Sequence, residues 1–201
     1  DECWCKNLKL ISFSVSPKNK LFITYKNDFL LGKSNQNENT FDVLITANHN
    51  LKDITIPSFI KYIDDCAFSL FNIVSVKFDE NSQLKSINKY AFNNIKCMNI
   101  ILPSSLEKIE ENTFYQSVIN NENIFSRNFN LNSIGDYSFY LSLINKILIP
   151  SSVKYLGKGA FKQSQLKNIK FDDDIKLDVI GENAFSETLI ESIIIPSAIR
   201  I

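Results

Sequence analysis

Glycine and histidine are scarce in this 201-residue chain, which has five of the first and one of the second. The glycines form no phosphate-cradling loop, so the common nucleotide-binding fingerprints are excluded. A single imidazole, His49, leaves little room for a zinc site or His-based nucleophilic catalysis. The longest apolar runs are only a few residues, as in Ile193–Ile195, which excludes a transmembrane helix. Neither sign of charge is in excess: Lys plus Arg and Asp plus Glu are 22 each, for a formal net charge of zero. A general polyanion binder needs surplus positive charge to displace counterions, so nucleic acid is not an expected partner. Four cysteines without a framework spacing leave the redox compartment open. No Asn stands in an Asn-x-Ser/Thr acceptor. What is present is a hydrophobic fraction of 44% and a charged fraction of 22%, the composition of a chain with a sizeable core.

The informative feature is periodicity. Pro57, Pro103, Pro150 and Pro196 lie 46, 47 and 46 residues apart, each preceded by Ile or Leu. Phe68, Phe92, Phe114, Phe139, Phe161 and Phe185 recur at 24, 22, 25, 22 and 24 residues, with Ala, Thr or Ser before each. Gly135, Gly157 and Gly181 each stand four residues before one of those phenylalanines. Such regularity defines an internal repeat of about 23 residues in two alternating forms. The first form runs from Leu51 through Ile54, Ile56 and Pro57 to Ile60, Ile63 and Ala67-Phe68. The second replaces the proline with a longer acidic or polar loop, as in Phe78-Asp79-Glu80-Asn81 and Phe171-Asp172-Asp173-Asp174. A degenerate copy with an extra residue spans roughly Ile119 to Phe139.

Each repeat reads as one coil of a solenoid. Ile54 and Ile56 are two apart and share one face of an extended strand. The following proline favours extended geometry at Ile56 and withholds a ladder donor. Ile60 and Ile63 begin the return wall, and each Phe fills the interior behind a small residue. The glycine after Ile134, Leu156 and Ile180 is expected to occupy a turn with positive φ, although Asp64, Asn88 and Glu110 hold that slot elsewhere. One coil cannot bury both its walls, and stacking buries a continuous core.

Ile144, Ile147, Ile149-Pro150, Val153, Leu156-Gly157 and Ala160-Phe161 follow the pattern L-x-x-I-x-I-P-x-x-V-x-x-I-G-x-x-A-F. The chain thereby resembles the BspA-like, or treponemal-type, leucine-rich repeats over residues 51–201. The resemblance implies a leucine-rich-repeat right-handed superhelix, mostly β, with short helical turns and a parallel sheet on one face. It also implies a non-enzymatic, protein-binding domain of a cell-surface adhesin that contacts host extracellular proteins or microbial surface proteins. An intracellular scaffold in the cytoplasm is the alternative. Residues 1–50 are expected to hold the tail of a preceding repeat, with Leu8, Ile11 and Phe13 as its strand. They also hold a hairpin-like insert or cap (21–31 and 41–47) around a mobile polar tip, Gly32 to Thr40. The stop at Ile201 falls inside a repeat, as in a segment of a longer array.

Between the buried strand positions, side chains should project outward in registered columns. One column reads Thr55, Lys77, Ile101, Ile124, Leu148, Lys170 and Ile194. These seven are the candidate partner-binding residues, because an apolar run with a charged border suits a protein interface. A neighbouring column reads Asp53, Ser75, Asn99, Lys146, Asn168 and Ser192. The bland alternative is that β-branched residues merely suit strands. The acidic loops lack the alternating arrangement of a calcium loop and read as solvated. Cys66 and Cys97 read as small core residues, Cys3 and Cys5 as remnants of the preceding repeat, and His49 as a polar turn residue. No residue is assigned to catalysis, to a metal or to a cofactor, and no membrane insertion is expected of this segment.

Overall fold

A computed structural model describes residues 10–120, 124–125 and 129–197. Fifteen strands lie among them. The N-terminal cap holds β1 (Ile23–Tyr25), β2 (Phe29–Gly32) and β3 (Val43–Ala47). From there the chain winds as a solenoid. Its front wall is β4 (Asp53–Ile56), β6 (Asn72–Phe78), β8 (Lys96–Ile100), β10 (Val118–Ile119), β12 (Lys146–Ile149) and β14 (Asn168–Phe171). Its back wall is β5 (Tyr62–Ile63), β7 (Ser86–Ile87), β9 (Lys108–Ile109), β11 (Ser133–Ile134), β13 (Tyr155–Leu156) and β15 (Val179–Ile180).

The back wall is continuous: β5, β7, β9, β11, β13 and β15 pair in parallel, and β3 joins β5 to extend the sheet into the cap. The cap is antiparallel inside, with β1 on β2 and β2 on β3. Lys26 and Asn27 stand in the left-handed region, at φ 52° and 60°, within the three-residue β1–β2 turn, which the Asp28 amide closes onto the Tyr25 carbonyl (3.1 Å). The front wall is split: β4, β6, β8 and β10 form one parallel sheet, and β12 and β14 form another. The break coincides with the degenerate repeat, where the extra residue takes the chain out of register.

The third side was expected to carry short helical turns, and among the described residues it holds none. Phe68, Phe92, Phe114, Phe139 and Phe161 instead donate their amides to the coil that follows, as from Phe68 to the Ala91 carbonyl (2.7 Å) and from Phe114 to that of Ser138 (2.7 Å). Residues two before and two after every stacked Phe are left-handed, for example Tyr90 and Asn94 around Phe92, or Gly159 and Gln163 around Phe161. That alternation closes successive i→i+3 turns and points backbone amides along the stack, which a helix cannot do. The corner is therefore a third hydrogen-bonded ladder.

The core is a stack of aromatic rings. Phe68, Phe92, Phe114, Phe139 and Phe161 are fully buried. Their neighbouring centroids lie 5.0–5.2 Å apart with interplanar angles below 10°, and Phe185 continues the stack at 5.8 Å. Leucine and isoleucine from both walls pack around it. A centroid spacing near 5 Å repeats the spacing between paired strands, so the ladders set the ring separation.

Three expectations are corrected. Gly135, Gly157 and Gly181 do not take positive φ; Gly159 is the glycine that does. Their slot instead brings consecutive backbones together: a Cβ at Gly135 would stand 2.6 Å from the Glu110 carbonyl carbon, and one at Gly157 would run into the backbone of Gly135 and Asp136. Cys66 is buried but is disulfide-bonded rather than a free core residue. It occupies the corner slot two before the Phe, held by Tyr90 and Tyr137 in later coils, which leads out of the ring stack. Phe13 packs on the outer side of the cap with Leu30, Val43 and Ile45, away from the main core. Cys3, Cys5 and Leu8 lie outside the described residues.

Candidate functional site

The front face exposes the columns between its buried positions. Thr55 is registered with Lys77, and the pairing of Val76 with Ile100 brings Lys77 beside Ile101. On the second sheet Leu148 is registered with Lys170. All five project into solvent, with Ile101 at 53% exposure, and Ile194 beyond them is 89% exposed. Ile124 does not join them, being completely buried. After β10 the degenerate repeat bends out of strand geometry, and the alternation of sides that would have turned Ile124 outward no longer holds. Leu102 donates its amide to the Ile124 carbonyl and bridges to Phe125, whose ring meets Phe129 edge-on at 5.2 Å. The outward run of Ile101, Ile124 and Leu148 is thus interrupted at its centre.

In the neighbouring column Ser75 is also buried; its hydroxyl lies 2.5 Å from the Asp53 carboxylate. Two exposed apolar residues escaped the sequence reading, Val74 (46%) and Met98 (61%), adjacent in register on β6 and β8. Burial of both Ser75 and Val76 breaks the two-residue period of β6, so simple alternation from Val76 misplaces what precedes it.

Recesses open where the candidate residues lie. Lys77 and Ile101 line one of about 550 Å³ together with Asp79, Asn99 and Pro103. Lys170 and Ile194 line another of about 710 Å³ with Asp172 and Pro196. Thr55 lines a smaller one of about 200 Å³ beneath the β1–β2 turn. Lys77 and Lys170 make no ion pair among the described residues, so each recess presents an available ammonium beside an aliphatic wall.

Elsewhere the titratable groups serve the scaffold. Asp42 is 3% exposed; it accepts bonds from the Ser34 amide (3.0 Å) and hydroxyl (2.9 Å) and lies 3.2 Å from the Lys61 ammonium. Burial alone would raise its pKa, but the Ser34 bonds and Lys61 outweigh burial and hold the carboxyl below its ordinary value. Burial pushes the Cys97 thiol up, which keeps it protonated and unreactive. His49 lies against Phe71 with ring centroids 3.8 Å apart. Asp172, Asp173 and Asp174 are exposed, and among the described residues no group of three or more His, Cys, Asp or Glu could hold a metal ion. No helix among them is long and apolar enough to cross a membrane.

Comparison with known proteins places this architecture. No curated protein matches the chain. Among solved structures, it is similar to the pneumococcal vaccine antigen PcpA, at 22% identity and a TM-score of 0.46 over 84% of this chain. The match spans 42% of that antigen's chain. A family model for the BspA-type leucine-rich-repeat region, in six copies, matches residues 45–140 and 85–201. The chain therefore belongs to the BspA-type leucine-rich-repeat family.

Proposed function

We propose that this chain is a non-enzymatic, protein-binding repeat domain of a cell-surface adhesin, which contacts extracellular or microbial surface proteins through its front face. The observation that carries the reading is the row of exposed residues Thr55 and Lys77, then Leu148 and Lys170, on paired strands, with Ile101 just past the end of β8 and Ile194 beyond them. Display of mixed aliphatic and cationic groups on a paired backbone suits recognition of protein surfaces, because little backbone must be ordered on binding. Family membership supports a protein-interaction role. The disulfide at Cys66 favours an oxidising compartment over the cytoplasm.

Beads coated with the domain test the reading. They should adhere to epithelial or microbial cells, and protease treatment of those cells should remove the adhesion. Adhesion that survives protease but not glycosidase would overturn a protein partner. Membrane-impermeant labelling of intact producing cells, with a cytosolic protein as leakage control, tests the location; exclusion from the label would return the reading to an intracellular scaffold.

A further inference from the structure

The two larger recesses share one lining pattern. Lys77 and Lys170, Asp79 and Asp172, Asn99 and Ser192, Ile101 and Ile194, and Pro103 and Pro196 correspond pairwise, each at an offset of 93 residues. In both, a second-form coil with its long acidic loop meets a first-form coil with its proline. Both second-form coils are tied alike to the coil before them, the amides of Asp79 and Asp172 donating to the equivalent carbonyls of Ile56 (3.0 Å) and Ile149 (2.9 Å); toward the coil that follows, β6 pairs with β8, whereas Ile194 lies outside any strand. A third such junction stands between them, and there the residue in the lysine slot is turned inward. Its slot residue is Ile124, buried and uncharged, with Phe125 and Phe129 packed beside it. The front face therefore carries two copies with an exposed lysine in the slot, flanking one whose slot residue is buried. Four ring-stacking steps of 5.0–5.8 Å separate the coils of Phe92 and Phe185, which follow Lys77 and Lys170. The recesses are thus about 20 Å apart, as four strand spacings dictate.

Resting on the protein-binding reading above, we propose that the two recesses bind one partner bivalently, each taking an extended peptide segment with an acidic residue and a basic residue two positions apart. Charge order supplies the argument. Each recess presents an ammonium and, two residues along the same backbone, a carboxylate, and neither is ion-paired among the described residues. Two residues of extended chain span about 6.8 Å, the same rise as in the occupant, so an acid-x-base segment sets opposite charges over both groups. The aliphatic stems of long side chains would cover Ile101 with Pro103, or Ile194 with Pro196. A partner with two such segments about 20 Å apart gains effective concentration at the second recess.

The probes are the tripeptide acetyl-Glu-Thr-Lys-amide and a tandem of two such tripeptides joined by a twelve-residue Gly/Ser linker, whose mean span is about 20 Å. Titrated into the 201-residue chain and followed by amide NMR, the tripeptide should shift residues of both recesses and leave those around Leu148 unmoved. The tandem should bind at least tenfold more tightly, and Lys77→Ala or Lys170→Ala alone should cancel that gain while the remaining resonances stay in place. No tripeptide binding, shifts at a single recess, or a gain that survives either substitution would overturn the proposal. Protease-sensitive bead adhesion retained by the double variant would leave the protein-binding reading standing and remove only the paired recesses.

Discussion

Replacing Phe139 by alanine probes the ring stack where it has most to lose. Phe139 is fully buried and lies between Phe114 and Phe161, both at 5.0 Å and within 10° of parallel. Truncating a buried Phe costs about 3–5 kcal/mol through lost transfer energy and the cavity left behind. Rings on both sides, held by ladder bonds, prevent collapse of that cavity, which places Phe139→Ala near 4–5 kcal/mol. Phe185 is half-buried and stacks on Phe161 alone, at 5.8 Å. Phe185→Ala should therefore cost roughly half as much, about 2 kcal/mol. Equilibrium urea unfolding followed by circular dichroism separates the two. With a slope near 3 kcal/mol per molar for a chain of this size, Phe139→Ala should lower the midpoint by about 1.5 M. A concurrent drop in slope would report the array dividing at the lesion, as nearest-neighbour coupling allows. Equal costs for both variants, or a Phe139 effect below about 0.5 kcal/mol, would refute the stack as the organising core.

Other expectations follow from single residues. Because the Asp42 carboxyl is held below its ordinary pKa, its contribution to cap stability is present above the unfolded carboxylate value and is lost as pH falls through the folded one; protection of the Val43–Ala47 amides, taken relative to their intrinsic exchange rate at each pH, should fall on acidification, and Asp42→Asn should remove most of that pH dependence. Ser142 buries a hydroxyl with no partner among the described residues, so Ser142→Ala should raise stability by about 1 kcal/mol, read as a higher melting temperature. Gly157→Ala should cost about 1–3 kcal/mol or more although its φ is ordinary, since the new methyl meets the backbone of the preceding coil; an unchanged melting temperature would count against that close approach.

The period of the repeat was legible because it is local. Pro57, Pro103 and Pro150 mark the ends of strand segments, the Phe–small-residue pairs mark the corners, and two-residue alternation gives the buried pairs Ile54 and Ile56 or Ile147 and Ile149. Recognition of the family, the solenoid and the burial of the Phe column required nothing more. Among the candidate residues, the outward positions of Thr55, Lys77, Ile101, Leu148 and Lys170 follow from the same alternation.

What the sequence by itself determined was therefore every feature that repeats, since a residue's side of a strand is set by its immediate neighbours. Tertiary structure decided the exceptions. Ile124 turned inward because an extra residue broke the register with β8 and ended alternation, a matter of pairing between coils. The glycines answer to the backbone of the coil stacked before them, and the turns became a ladder because each amide found its acceptor one coil away. Cys66 entered a disulfide where its position in the repeat predicted a free core residue. The two open recesses exist because long acidic loops and proline turns from different coils meet side by side. Each of these depends on contacts more than twenty residues apart, which local patterning cannot encode.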